Sequence, residues 1–204
     1  MAKTIITIGR QFGSGGREIG RKLAEKLGAN YYDKELINET AKESGLSEEF
    51  LKSLDEKPSK SFLYSLVSDP YSYGFTSTGY TTNLNQQAFQ ATYDTIKKLA
   101  EKGPSVFVGR CADYALRHNS DLFRIFIYSP LDKRIENVMN RFDLTAEKAK
   151  SQINKEDKAR ASYYNYYTSK KWGALDSYDL FVNSSLMTED ENVDFIVDYL
   201  KRIS

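Results

Sequence analysis

Hydrophobic periodicity divides the chain into short apolar runs separated by longer amphipathic stretches. Thr4-Ile5-Ile6-Thr7-Ile8 is β-branched throughout and ends at Gly9. Side chains of that shape suit a pleated, packed surface, so the run predicts a buried strand. Beyond a glycine-rich stretch the period lengthens. Over 18–27, Ile19, Leu23, Ala24 and Leu27 share one helical face, and Gly28 stands where a left-handed residue would end the helix. A brief strand is predicted at Asn30-Tyr31-Tyr32, after which Asp33 can cap a helix carrying Leu36, Ile37 and Ala41. Later apolar runs are Ser105-Val106-Phe107-Val108, residues 122–128 closed by Pro130, and Asp179-Leu180-Phe181-Val182. Helical patterns cover 84–102, 131–142, 145 to about 167, and 189–202.

Strand and helix alternate, and the strands are apolar on both faces. That combination predicts an α/β fold with a parallel sheet covered on each side by helices. Residues 59–83 break the alternation. They are rich in Ser, Thr, Tyr and Gly, hold Asp69-Pro70, and read as an irregular insert or flap.

Composition narrows the function classes. The 204 residues suit one domain and carry 29 Lys+Arg against 28 Asp+Glu, a net charge of +1. Such a balance excludes a generally basic nucleic-acid binder. One cysteine, Cys111, and one histidine, His118, exclude disulfide scaffolds, Cys/His zinc sites and His-centred triads. No apolar run approaches the ~20 residues of a membrane span. The first residues enter a strand pattern at once, without an apolar leader, so the chain reads as cytoplasmic.

The chemistry concentrates in the turn Gly9-Arg10-Gln11-Phe12-Gly13-Ser14-Gly15-Gly16-Arg17-Glu18, between the first strand and the first helix. Glycines let such a turn aim its amides inward, and the helix N-terminus adds partial positive charge. The product is an anion cradle of phosphate size. The spacing approaches the phosphate-loop pattern of Gly, four residues, Gly, Lys, Ser/Thr, but lacks the lysine. With Gly15 as the last glycine, Gly16 stands at the lysine position and Arg10 at the first glycine. A slip of one residue puts Arg17 at the lysine position and Glu18 at the hydroxyl position.

In open α/β sheets ligands gather at the carboxyl ends of strands. Asp33-Lys34 and Gly109-Arg110-Cys111-Ala112-Asp113 fall there, as does Ser129. Asp33 reads equally as a helix cap. Arg110 reads as a ligand contact, and Asp113 as its brace or as a solvated acid. Downstream, 148–171 holds seven Lys/Arg against two acids, interleaved with Tyr163, Tyr164, Tyr166 and Tyr167 and followed by Trp172. A basic helix of this kind fits a lid that closes over phosphates, or a solvated face with an aromatic packing stripe.

Together these residues resemble the cytidylate kinase-like branch of the P-loop nucleoside monophosphate kinases. The resemblance rests on 5–20 as the phosphate loop, Tyr31-Tyr32-Asp33, Val108-Gly109-Arg110-Cys111-Ala112-Asp113, 154–160 as an arginine-bearing lid, and Tyr178-Asp179-Leu180-Phe181-Val182-Asn183 as the last strand. It implies a three-layer P-loop NTPase fold: a five-stranded parallel sheet flanked by helices. The core would be 1–44, 103–144 and 176–204, with a monophosphate-binding insert at 45–102 and a lid at 145–175. It implies transfer of the γ-phosphoryl group of ATP, brought with Mg²⁺, to a cytidine-type monophosphate. Gly13, Ser14, Gly15, Gly16, Arg17 and Glu18 would hold the donor phosphates, with Arg134 near the donor base. Asp33, Arg110 and Asp113 would address the acceptor. Arg17, Arg110, Arg160 and Lys158 would stabilise the transferring charge. Mg²⁺ would ride on the ATP phosphates, with no protein ligand assigned. The partner is a small nucleotide; membrane and nucleic acid are disfavoured, and the oligomeric state stays open.

The sequence departs from that family pattern in three places. The loop lysine is absent. Tyr128 stands where members carry an acid that helps read cytosine. Arg160 is the one arginine in a lid stretch that usually holds several. Two alternatives therefore stand beside the kinase reading: a nucleotide-binding module with weak or lost chemistry, and a kinase for a different small molecule.

Overall fold

A computed structural model of the chain describes residues 5–56 and 78–203. Five parallel strands form one sheet in the order β2-β3-β1-β4-β5: β1 (Ile5–Arg10), β2 (Asn30–Tyr32), β3 (Ser105–Val108), β4 (Leu122–Tyr128) and β5 (Leu180–Asn183). Central β1 pairs with β3 on one side and β4 on the other, so the strand order reverses at its carboxyl end. That reversal opens a crevice where open sheets bind ligands.

Alternate side chains of each strand enter opposite layers. Ile6, Ile8, Val106, Val108, Ile125 and Ile127 pack under α1 (Gly16–Leu27) and the C-terminal helix Glu189–Ile203. Ile5 and Phe107 face the other layer, against Leu36 of α2 (Glu35–Ser44) and against Ile96 and Leu99 of α4 (Thr78–Glu101). Phe107 is fully buried and stacks on Tyr32 at 5.0 Å. Phe107→Ala is expected to cost about 3–5 kcal/mol, read as a lower urea midpoint at unchanged slope.

The other α-helices among the described residues are α3 (Glu48–Leu54), the short α5 (Ala112–Ala115), α6 (Leu131–Phe142), α7 (Ala146–Thr168) and α8, the C-terminal helix. Helix α7 begins where the Thr145 side chain accepts from the Lys148 amide. Its first half packs on α6 through Ala149, Ile153 and Val138. Its second half is anchored by aromatic packing: Tyr167 stacks on Phe89 at 3.9 Å, and Tyr163 and Tyr164 join them beside Cys111. The lysines of this stretch are solvent-exposed. The aromatic stripe is therefore core packing, and the lysines form a solvated face.

Several boundaries shift by a residue, as where the last strand runs Leu180–Asn183 rather than 179–182; three differences bear on the site and the insert. Strand β1 runs on through Gly9, paired with Phe126, to Arg10, paired with Ile127, so the turn starts at Gln11. Helix α1 starts at Gly16 rather than 18. Helix α4 starts at Thr78 rather than 84; the sequence carries little signal for that first part, since Thr78, Gly79, Tyr80, Thr81, Thr82 and Asn83 are weak helix formers without an apolar periodicity. Of the expected insert at 59–83, residues 59–77 lie outside the described residues.

Candidate active site

The turn after β1 is fixed by its carbonyls. Gly13 and Gly15 take left-handed φ values of 81° and 73°. A Cβ on Gly13 would also lie 2.9 Å from Val138 and 3.0 Å from the Arg134 carbonyl, so only glycine fits. Buried Ser14 turns its hydroxyl inward to the Gln11 carbonyl (2.8 Å), while Ser184 donates to the Ser14 carbonyl (2.6 Å). Asn137 donates to the Gly13 carbonyl at 2.9 Å. The Phe12 amide donates to Asp157 at 2.7 Å, and Asp157 in turn holds Arg134 at 2.6 Å. By contrast, the amides of Gly13, Gly15, Gly16, Arg17 and Glu18 donate to no protein acceptor among the described residues. Converging free amides at a helix N-terminus have the capacity to hold an anion. They open on a cleft of about 890 Å³.

The opposite wall of that cleft is a network of arginines and carboxylates at the ends of β1, β2 and β3. Arg110 is buried with φ 54°, in the left-handed region. Its guanidinium donates to Asp33 (2.9 Å) and to the Val108 carbonyl (2.9 Å), and grips Asp55 through Nε (2.8 Å) and Nη2 (2.9 Å). Arg17 reaches the other oxygen of Asp33 through Nε at 2.5 Å. Arg10 pairs with Glu56 through both terminal nitrogens, at 2.7 and 2.9 Å. Arg160 lies 3.4 Å from Glu56, donates to the Arg10 carbonyl at 3.2 Å, and sits 5.5 Å over the Phe12 ring. Glycine is required at 109, where a Cβ would run into both Glu56 and Arg10.

Burial alone would raise the Glu56 carboxyl, but Arg10 and Arg160 outweigh it and hold the group well below the usual carboxylate range. Burial and the neighbouring Arg10 push Arg160 down to about 10, still charged at neutral pH. A depressed carboxyl stabilises the fold above its unfolded value of ~4.3, and this contribution is lost as pH falls toward the folded value. The stability gap between wild type and Glu56→Gln, measured by urea unfolding, is therefore expected to be wide at pH 7 and to narrow below about pH 4.

Of the residues singled out in the sequence, Gly13, Gly15, Gly16, Arg17, Glu18, Asp33, Arg110 and Arg160 line this one cleft. Asp33 does not cap α2. The cap position is Lys34, which makes no side-chain bond, and the Asp33 carboxylate turns to the two arginines instead. Glu18 pairs with Arg141 (3.0 Å) at the rim. Buried Arg134 braces the loop through Asp157 and the Phe12 carbonyl. Asp113 does not reach Arg110; it accepts from the Tyr164 hydroxyl at 2.6 Å and so ties α5 to α7. Lys158 is exposed on α7 and is not among the residues lining the cleft. Two participants had no signal in the sequence: Asp55 and Glu56 follow α3 as ordinary surface-type acids and enter the site only by tertiary packing. Arg10 was visible as the residue displacing the first loop glycine, but its carboxylate partner was not.

Comparison with known proteins places the same features in context. The model of the cytidylate kinase-like family matches residues 5–186. A cytidylate kinase of Methanopyrus kandleri is 26% identical over 197 residues, covering 92% of this chain and 88% of that protein. The crystal structure of an uncharacterized protein from Eubacterium ventriosum is 29% identical, covers 98% of this chain and 99% of its own, and superposes with a TM-score of 0.73. A shikimate kinase from Bacteroides thetaiotaomicron, at 12% identity and TM-score 0.56 with 98% and 99% coverage, shares the fold alone. The α/β architecture is thus that of P-loop kinases.

Proposed function

The chain belongs to the cytidylate kinase-like family, and on that premise we propose that it transfers the γ-phosphoryl group of Mg²⁺-bound ATP to a nucleoside monophosphate of cytidine type. One observation carries this reading: the free loop amides face the arginine network across a single cleft at the carboxyl end of β1. An amide cradle and a set of fixed cations are what phosphoryl transfer needs, since the reaction is governed by positioning and charge neutralisation.

The amides of Gly13, Gly15, Gly16, Arg17 and Glu18 hold the donor phosphates, and Mg²⁺ arrives on those phosphates as part of the substrate. Arg110, oriented by Asp33 and Asp55, presents charge to the acceptor side. Arg17 and Arg160 flank the transferring group. Arg134 is a positioning residue, holding the loop through Asp157 rather than touching the donor base. Lys158 adds only diffuse charge from the outer face of α7, and Asp113 acts on the lid helix through Tyr164.

A second reading is favoured by the missing loop lysine: a nucleotide-binding module without turnover. One assay separates the two. ATP with Mg²⁺ is offered with a panel of nucleoside monophosphates and small alcohols, and ADP release is coupled to a spectrophotometric signal. Turnover fastest with CMP or dCMP supports the kinase. Nucleotide-dependent thermal stabilisation of roughly 2.7 kcal/mol at ~100 times Kd, without ADP release on any acceptor, supports the module.

A further inference from the structure

Arg10 and Arg160 meet on one carboxylate. Glu56 accepts from both terminal nitrogens of Arg10, from the Arg110 backbone N–H at 3.0 Å, and lies 3.4 Å from Arg160 Nε. These donors come from β1, the turn after β3, and α7, three separate elements that converge on one oxygen pair. Glu56 reaches them with φ 49°, a left-handed conformation that glutamate rarely adopts. The side chain is 13% exposed and lines the same cleft as the loop amides. The donor geometry is that of an oxyanion site, because planar guanidiniums and a backbone amide match phosphate oxygens as well as carboxylate ones.

Charge decides what such a site prefers. Arg10, Arg17, Arg110 and Arg160 face Asp33, Asp55 and Glu56, leaving a surplus of one positive charge. Exchanging Glu56 for another monoanion leaves that surplus and gains nothing for the exchange. Exchanging it for a dianion brings the network to neutrality. We propose that Glu56 is a resident stand-in for a dianionic phosphate monoester, and that its presence makes the Arg10–Arg160–Arg110 amide site selective against monoanions such as carboxylates and phosphodiesters. The site deepens the kinase reading by naming what discriminates the acceptor's phosphate, but its binding test needs no turnover.

The test is calorimetric titration without ATP at pH 8, where a phosphate monoester is dianionic. The probes are methyl phosphate, dimethyl phosphate and acetate, against wild type, Glu56→Gln and Arg10→Met. Wild type is expected to bind methyl phosphate and neither monoanion. Glu56→Gln is expected to bind methyl phosphate at least about tenfold more tightly and to gain dimethyl phosphate and acetate, the change equivalent to at least about 1.4 kcal/mol. Arg10→Met is expected to lose methyl phosphate binding. Glu56→Asp, one methylene shorter, keeps a carboxylate in the fold and is expected to fall between wild type and Glu56→Gln; it decides the matter if the glutamine variant does not fold. Unchanged methyl phosphate affinity in a folded Glu56 variant, or acetate binding as tightly as methyl phosphate to wild type, overturns the proposal. A protein that transfers phosphate yet shows that result keeps the kinase reading and loses this one; a protein with the selectivity but no transfer does the reverse.

Discussion

Arg110→Ala is expected to lower kcat for phosphoryl transfer by about 10³-fold, the low end of the range for an arginine that stabilises the transferring charge. The size of the effect follows from how the side chain is held. Arg110 is buried, sits in a left-handed backbone conformation, and has its guanidinium fixed by Asp33, Asp55 and the Val108 carbonyl. A cation placed that rigidly needs little reorganisation as charge develops, so its loss is expected to be felt in kcat. Truncation also strands two carboxylates with one arginine fewer between them. Breaking a buried pair in this way destabilises by roughly 3–5 kcal/mol. Arg110→Lys separates the two effects. A lysine keeps the charge but cannot span Asp33 and Asp55 together, so it is expected to recover much of the stability and little of the rate. The readouts are steady-state kinetics beside urea unfolding of each variant. A folded Arg110→Ala protein with turnover within tenfold of wild type removes Arg110 from the chemistry.

The sheet was legible in the sequence because its central strands carry short apolar runs with both faces to bury. Ile5, Ile6 and Ile8, or Val106, Phe107 and Val108, have both faces to bury, and a parallel sheet between helix layers is the arrangement that does so. The glycine turn was legible for a related reason: glycine spacing reports backbone conformation directly, and Gly13 and Gly15 do take the left-handed φ the turn demands. What surrounds that turn was not legible. Asp33 follows a strand and precedes a helix, which is equally the signature of a cap, and only Arg17 and Arg110, the latter 77 positions away, decide where its carboxylate points. Asp55 and Glu56 carry no periodic signal, since a polar residue after a helix is unremarkable until the partner it meets is known. The basic, tyrosine-rich helix misleads in the opposite direction. Its residues suggest a ligand platform, yet Tyr163, Tyr164 and Tyr167 are packed against Phe89 and Cys111, and of its cations only Arg160 turns inward to the cleft.

The same geometry explains the missing lysine and predicts what restoring it would do. Gly16 is the first residue of α1 and has ordinary helical backbone, so nothing in its φ demands glycine. Its surroundings do. A Cβ there would lie 2.7 Å from the Arg10 Cβ and 3.2 Å from that of Ile127, because the Arg10 stem crosses beneath the turn on its way to Glu56. The chain holds a side chain at 16 or one at 10, and it has the arginine. Gly16→Lys, which writes the usual phosphate-loop lysine back into the sequence, is therefore expected to damage the protein. The overpacking costs about 1–3 kcal/mol, and displacement of the turn weakens ATP binding by roughly ten- to a hundredfold. Arg10→Gly in the same chain removes the obstruction and restores the spacing of Gly, four residues, Gly, Lys. The double variant is expected to bind ATP more tightly than Gly16→Lys alone, with a favourable coupling of about 0.5–3 kcal/mol in a double-mutant cycle. Calorimetric ATP titration of wild type, the two single variants and the double variant measures it directly. Additive losses at the two positions would mean that the Arg10 stem is not what excludes the lysine, and that the arginine and the glycine occupy the turn independently.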